Sequence, residues 1–259
     1  MSTLAYTLSD SRTMLRRNLV HMLRYPVLTL LLIVTPVLLL LLFVYVFGGT
    51  LGAGLGTAGG YIDYVVPGIL IIAIASSAQG TAITVAMDMT EGIVARFRTM
   101  AISRAAVLTG HVLGNVIQTM FGLAVVVGVA MAVGFRPTAG PQEWLAVVGV
   151  LALISVAITW LSVALGMVSK SVEAASNLPM FLLLLPFLGS GFVPTESMPG
   201  PLRWFAENQP FTPWTETLRG LLTGTPIGNN GWLTVAWCAV ITVGGYLWAL
   251  RLYNSRSTR

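Results

Sequence analysis

Charge is scarce in this 259-residue chain. Only 9% of its residues are Asp, Glu, Lys or Arg, against about 25% in a soluble domain, and that deficit argues against a soluble enzyme. Cysteine occurs once, at Cys238, so the chain can form no internal disulfide and no cysteine metal cluster. Lying in an apolar run, Cys238 reads as a small core hydrophobe. Histidine occurs twice, at His21 and His111, far apart and without an H-E-x-x-H spacing, which argues against a zinc site. Lysine occurs once, at Lys170, which follows Ser169 where a Walker A loop has Gly. No nucleotide motor is therefore expected in this chain. Gly189-Ser190-Gly191 does not match G-x-S-x-G and has no strand–turn–helix context. No polar constellation for an intramembrane protease or acyltransferase can be assembled, so no catalytic residue and no metal are expected.

What the chain has in abundance is apolar length. Hydrophobic residues make up 56% of it, and Val27 to Phe47 runs for 21 positions without a charge. About 18 such residues suffice for a transmembrane helix candidate. Six spans are predicted: Val27–Phe47, Tyr64–Met87, Val107–Phe135, Trp144–Val168, Ala174–Phe192 and Trp232–Tyr253. The first is longer than the apolar region of a signal peptide and no A-x-A site follows, so it is expected to be retained. The fold class expected is an all-α membrane protein of one domain over 1–259. It comprises a cytoplasmic amphipathic segment (1–26), a six-span bundle (27–253) and a cytoplasmic tail (254–259).

The net charge of +5 does not imply nucleic acid, because the basic residues sit between spans rather than along one face. Their placement sets topology instead. With the N-terminus inside, the cytoplasmic segments hold Arg12, Arg16, Arg17, Arg24, Arg96, Arg98, Arg104, Lys170, Arg251, Arg256 and Arg259, and the opposite side holds Arg136, Arg203 and Arg219. An even number of spans returns the C-terminus to the cytoplasm. The preference for Arg over Lys fits a GC-rich bacterial genome, and the location expected is a bacterial plasma membrane.

Four segments outside the spans carry pattern, of which the glycine-dense Gly48–Gly60 is expected to be a flexible outer loop. In Asp10–Arg24, Leu15, Leu19, Met22 and Leu23 share a helical face opposite Arg17, His21 and Arg24, which suits a helix lying in the membrane interface; a plain basic flank would serve topology equally. In Asp88–Arg104, Ile93, Phe97 and Met100 form an apolar stripe with Glu91 and Arg98 on the other face. That pattern suits a protein-docking helix, against the alternative of a solvated basic loop. Val193–Gly231 is rich in proline and aromatics. Thr212 is expected to cap a helix with Pro213 at its first position; Trp214, Leu218, Leu221 and Leu222 would form its apolar face, and Gly224 would end it. Aromatic residues favour the headgroup zone, so short helices dipping into the outer leaflet are expected, with an ordered external loop as the alternative.

The spans contain few charges, which argues against a proton- or sodium-driven carrier. They do contain mild polarity: Ser76, Ser77, Gln79, Thr81 and Thr84 in the second span, Asn177 in the fifth. Ser76, Gln79, Thr84 and Asn177 are candidate contacts for an amphipathic cargo, although close helix packing explains such residues as well.

Three stretches together resemble one family: the amphipathic N-terminal segment, EGIVARFRTMAISRAAVLTGHVLGN after the second span, and GFVPTESMPGPLRWFAENQPFTPWTETLRGLLTG before the last. They are similar to the ABC-2 type transport permeases, in particular the daunorubicin-resistance-like drug exporters, over essentially the whole chain. The resemblance implies a membrane subunit that dimerises, as a homodimer in the simplest case, and recruits two copies of a separate ATPase that binds ATP and Mg. It implies no cofactor in this chain, contact with membrane lipid, and no nucleic acid. The family's coupling helix maps onto Glu91, Gly92, Ile93, Phe97, Arg98, Ile102, Ser103 and Arg104; Ala101 stands where the family often has Pro, so the helix is expected to run longer. The family's outer re-entrant gate maps onto Pro194, Pro199, Asn208, Pro210, Thr212, Trp214, Leu218 and Arg219. The function implied is export of a hydrophobic drug or lipid-like substrate, the alternative within the family being a polysaccharide or lipid-linked glycan.

Overall fold

The computed structural model describes residues 26–52, 60–90, 104–169 and 171–255. Among them the secondary structure is helical, with no strand. Helix α1 (Pro26–Leu41) continues through a π-helical stretch (Leu42–Phe47) and a last short turn (Gly48–Gly52). Three long helices follow: α2 (Tyr61–Thr90), α3 (Arg104–Val133) and α4 (Pro141–Val168). Next come two short ones, α5 (Val172–Asn177) and α6 (Met180–Leu184), the latter running into a 3-10 turn (Leu185–Leu188). After a second 3-10 turn (Thr195–Ser197) come α7 (Gly200–Asn208), α8 (Phe211–Thr223) and the long α9 (Asn230–Ser255).

Among the described residues five helices are long and apolar enough to cross a membrane: Ile33–Gly52, Tyr61–Met87, Val112–Val133, Pro141–Val168 and Asn230–Tyr253. They coincide with five of the six expected spans. The other expected span, Ala174–Phe192, is not one helix. It is α5, a turn at Leu178-Pro179, α6 and the 3-10 turn, an apolar stretch from Val172 to Leu188. Proline explains the break. Leu178 and Leu185 keep helical backbone, but Pro179 lacks an N–H to continue the ladder and its ring crowds the preceding turn, and Pro186 repeats the effect where the α-helical turn tightens to 3-10.

Helix α2 is the axis of the molecule and touches α1, α3, α4, α5 and α8. Val65, Val66, Ile69, Leu70, Ile72, Ile74 and Ala78 are all fully buried, so it is apolar around most of its circumference, as a central helix must be. Helices α4 and α9 pack along one another. A Cβ at Gly245 would lie 2.9 Å from the backbone of α4 at Leu161, so the bare glycine is what lets the two backbones approach, a device common between membrane helices. Trp160 and Tyr246 close the same seam edge to face, 4.9 Å between ring centroids.

The outer surface of the bundle is apolar as well. Leu38, Tyr45 and Val46 of α1, Phe121 of α3, Leu145 of α4, and Val240 and Val243 of α9 are exposed. Oily residues inside and out match a protein whose lateral solvent is lipid. Residues at the start of α2, the turn after α3 and the end of α8 gather at one end, where Thr138 N–H donates to Leu222 O at 2.9 Å. The opposite end holds the close of α2, the start of α3 and the close of α4.

Candidate functional site

The expected coupling residues Glu91, Gly92, Ile93, Phe97, Arg98, Ile102 and Ser103 lie outside the described residues, as does the amphipathic segment before Pro26. Arg104 is the first residue of α3.

The expected outer residues are mostly described, and they fall into two groups. Pro194, Pro199 and Asn208 belong to an outlying edge. Pro194 precedes the 3-10 turn and its carbonyl accepts from Ser197 Oγ at 2.7 Å. Exposed Pro199 precedes α7, and Asn208 ends it with its amide donating to Trp204 O at 2.8 Å. Thr212, Trp214, Leu218 and Arg219 belong to α8, with Pro210 immediately ahead of it, and this helix is wedged among α2, α4 and α9. Trp214, Leu218 and Leu222 are fully buried, with Leu221 at the margin. Gly224 ends the helix in the left-handed region at φ +73°, where a β-carbon would be strained.

Two expectations need correction. Trp214 does not sit among headgroups: it is 0% exposed and packs edge to face on Phe211 at 5.0 Å, whereas Trp204 of α7 is 69% exposed. Thr212 does not cap α8 either, because the helix begins at Phe211 with Pro210 ahead of it. The Thr212 hydroxyl instead donates to Ala206 O at 2.5 Å and accepts from Ser190 N–H at 3.3 Å. It ties three segments together at one oxygen.

That oxygen is part of a buried network around the non-helical backbone at Gly189–Phe192. Arg219 Nη2 donates to Ser190 O at 2.8 Å and to Tyr64 O at 3.2 Å. Its Nη1 pairs with Glu216, and its guanidinium carbon lies 3.8 Å above the centre of the Tyr64 ring. Tyr64 Oη donates to Ser190 O at 3.0 Å, Tyr61 Oη to Phe192 O at 3.2 Å, and Gln209 Nε2 to Leu185 O at 3.1 Å. A peptide group left bare in hydrocarbon costs several kcal/mol, so irregular backbone survives there only when protein satisfies it. Here the N–H of Ser190 has one partner and its carbonyl has two. The backbone of this break also presses on α2: a Cβ at Gly68 would lie 2.5 Å from Gly191 O. The side-chain hydroxyls of Thr217 and Thr234 meet at 3.0 Å and Thr234 Oγ1 reaches Pro213 O at 3.0 Å, fixing α8 to α9.

The four expected path residues divide differently. Gln79 and Asn177 lie where α2 meets α5, and Gln79 Nε2 donates to Ser176 O at 2.9 Å. Ser76 and Thr84 are on α2 with hydroxyls bonded to their own helix, at Ile72 O and Gly80 O. Their line along one helix does not form a closed site.

A second polar group, not singled out among the candidates, lies between α1, α2, α3 and α4. Asn115 Oδ1 meets Thr159 Oγ1 at 3.2 Å and Thr119 Oγ1 at 3.4 Å. Asn115, Gln118, Thr119 and Ser77 line a cleft with Ile33 and Gly122. The available signal was two carboxamides, Asn115 and Gln118, inside a run that otherwise reads as lipid-soluble.

Comparison with known proteins gives consistent matches. Residues 10–223 match the model of the ABC-2 type transporter family. The chain is 30% identical over 225 residues to the daunorubicin resistance ABC transporter permease protein DrrB1 of Streptomyces coeruleorubidus, covering 85% of this chain and 77% of that one. It is 25% identical over 211 residues to the probable doxorubicin resistance ABC transporter permease protein DrrC of Mycobacterium tuberculosis, covering 82% and 76%.

Proposed function

The chain belongs to the ABC-2 type transporter family, and from that premise we propose that it is the permease subunit of an ATP-driven exporter of a hydrophobic drug-like or lipid-like molecule. The observation that carries this reading is the likeness to the daunorubicin resistance permease over 85% of the chain, in a sequence whose only lysine stands outside any nucleotide-binding loop. Both relatives are drug-resistance permeases by name, which favours a drug over a glycan as cargo.

In this reading the broken stretch Val172–Leu188 supplies the sixth crossing, and both termini lie in the cytoplasm, where the basic residues concentrate. ATP and Mg are held by a separate ATPase, which docks on the segment from Glu91 to Arg104. Closure of two ATPase subunits moves these segments, and the bundles of two permease copies rock against each other. Because the spans carry few charges, the path suits neutral, oily cargo. The outer end then acts as the gate. Its buried guanidinium at Arg219 holds the broken backbone near Ser190 against α2, so releasing or keeping that contact couples the position of α8 to the bundle axis.

Co-purification tests the proposal. The permease should retain a Walker-motif ATPase encoded beside it and raise its ATP turnover. Charge reversal at Glu91 and Arg98 should lower both assembly and turnover. A permease that acts on a substrate in detergent without a partner would contradict the assignment.

A further inference from the structure

The cleft between α1, α2 and α3 has a polar floor in an apolar wall, and its place in the bundle gives that floor a use. Thr119 and Asn115 of α3 and Ser77 of α2 form the floor, with Ile33 of α1 and Leu123 of α3 on the walls. Thr119 and Ser77 are buried. Asn115 is anchored through its carbonyl oxygen, which faces the hydroxyls of Thr119 and Thr159 at 3.4 and 3.2 Å. That arrangement turns its amide nitrogen away from the threonines, and the N–H groups have no partner among the described residues. An amide donor facing hydrocarbon is costly unless something accepts from it. No charged side chain lines the cleft, so it suits a neutral acceptor and not a phosphate or an ammonium.

Counting along the helices places the floor. Asn115 and Thr119 are eight and twelve residues from Val107, where the expected third span begins, and Ser77 is ten from Met87, where the second ends. At about 1.5 Å per residue these are depths of roughly 12–18 Å, all from the end opposite Arg219. In the proposed topology this is close to the middle of the membrane, within reach of the cytoplasmic leaflet in which a molecule awaiting export dissolves.

We propose that this cleft is a binding site for the neutral hydroxyl of an otherwise apolar molecule that enters sideways from the lipid. The hydroxyl oxygen accepts from the Asn115 amide and its O–H donates a hydrogen bond to the oxygen of Thr119 or Ser77, while the apolar body lies against Ile33 and Leu123. As a capture site for cargo this rests on the export reading; as a binding site it does not.

The test uses a diazirine-bearing octanol and the purified permease in phosphatidylcholine nanodiscs, with adducts mapped by mass spectrometry. Adducts should concentrate on residues 118–126 and around Ser77, and excess octanol should suppress them at least fivefold while octane does not. Asn115→Leu should remove the same fraction. Should that variant fold poorly, Gly122→Phe fills the cleft from a position where a Cβ already meets Ile33 at 3.4 Å, and should abolish the labelling with Asn115 intact. Adducts spread evenly over lipid-facing residues such as Leu38 and Val240, equal competition by octane, or labelling that survives Gly122→Phe would each overturn the site. Transport is not needed for this readout, so a failure to export would count against the permease function alone.

Discussion

Two short amphipathic helices stand next to each other at one end of the molecule, and they have opposite fates. Helix α7 carries Trp204 and Phe205 and leaves both exposed; α8 carries Phe211 and Trp214 and buries both. Each has a basic residue with an acidic partner on its own helix, Arg203 with Glu207 and Arg219 with Glu216. The α7 pair lies open on the surface. In the α8 pair Glu216 stays half-buried while Arg219 is drawn inside, where it also holds two main-chain carbonyls contributed by other segments. The difference teaches that aromatic content does not decide which helix touches the membrane surface. A helix is pulled in when its polar groups answer needs elsewhere, here the non-helical backbone at Gly189–Phe192 that follows the broken apolar stretch Val172–Leu188.

The largest effect should come from the two tryptophans. Trp214→Ala empties a fully enclosed site and is expected to cost about 3–5 kcal/mol, whereas Trp204→Ala should stay within about 0.5 kcal/mol. Thermal unfolding in detergent, followed by tryptophan-independent circular dichroism, measures both. Equal shifts would erase the distinction between the helices.

The arginines come next. Arg219→Met keeps the bulk but leaves Ser190 O and Tyr64 O short of a donor and Glu216 without its cation, at a cost of about 2–4 kcal/mol. Arg203→Met should leave the midpoint of unfolding unchanged, because its ion pair is exposed. Proteolysis near residues 189–193 offers a finer readout, with faster cleavage expected only for the Arg219 variant.

Glycines sharpen the contrast at smaller scale. A Cβ on Gly220 of α8 would come 2.8 Å from Thr225 O, whereas one on Gly200 of α7 meets nothing within 4 Å. Gly220→Ala should therefore cost about 1–3 kcal/mol, and Gly200→Ala should be neutral or slightly stabilising by about 0.5 kcal/mol. Smallest is Thr212→Val, which removes one oxygen shared by two contacts and should cost about 1–2 kcal/mol; Thr223→Val, whose hydroxyl serves only its own helix at Arg219 O, should cost less than half of that in the same assay.

Much of this was legible in the sequence, for reasons of scale. Long apolar runs need no partner to be helices in lipid, so Tyr61–Thr90, Arg104–Val133, Pro141–Val168 and Asn230–Ser255 follow from composition. The apolar face of α8 and its stop at Gly224 follow from helical spacing and from glycine's tolerance of positive φ. What escaped depended on distant partners. Thr212 looks like a cap because a cap is local, but Ser190 lies 22 residues away. Arg219 reads as one outer charge among three, because nothing near it in sequence reveals that Tyr64, 155 residues earlier, lies beneath its guanidinium. The break at Leu178-Pro179 was hidden by the same apolarity that marked the span. Asn115 escaped because an amide in a long apolar helix reads as a packing detail until the threonine of another helix is set beside it.

Inside-out vesicles carrying the permease and its ATPase test the central claim most directly. Daunorubicin fluorescence should fall on addition of ATP as the drug is driven into the lumen, and the fall should disappear when the permease is replaced by the Arg98→Glu variant, in which the proposed docking charge is reversed. Uptake that persists without the ATPase, or that collapses with a proton ionophore while ATP remains, would contradict a conduit powered by a separate subunit.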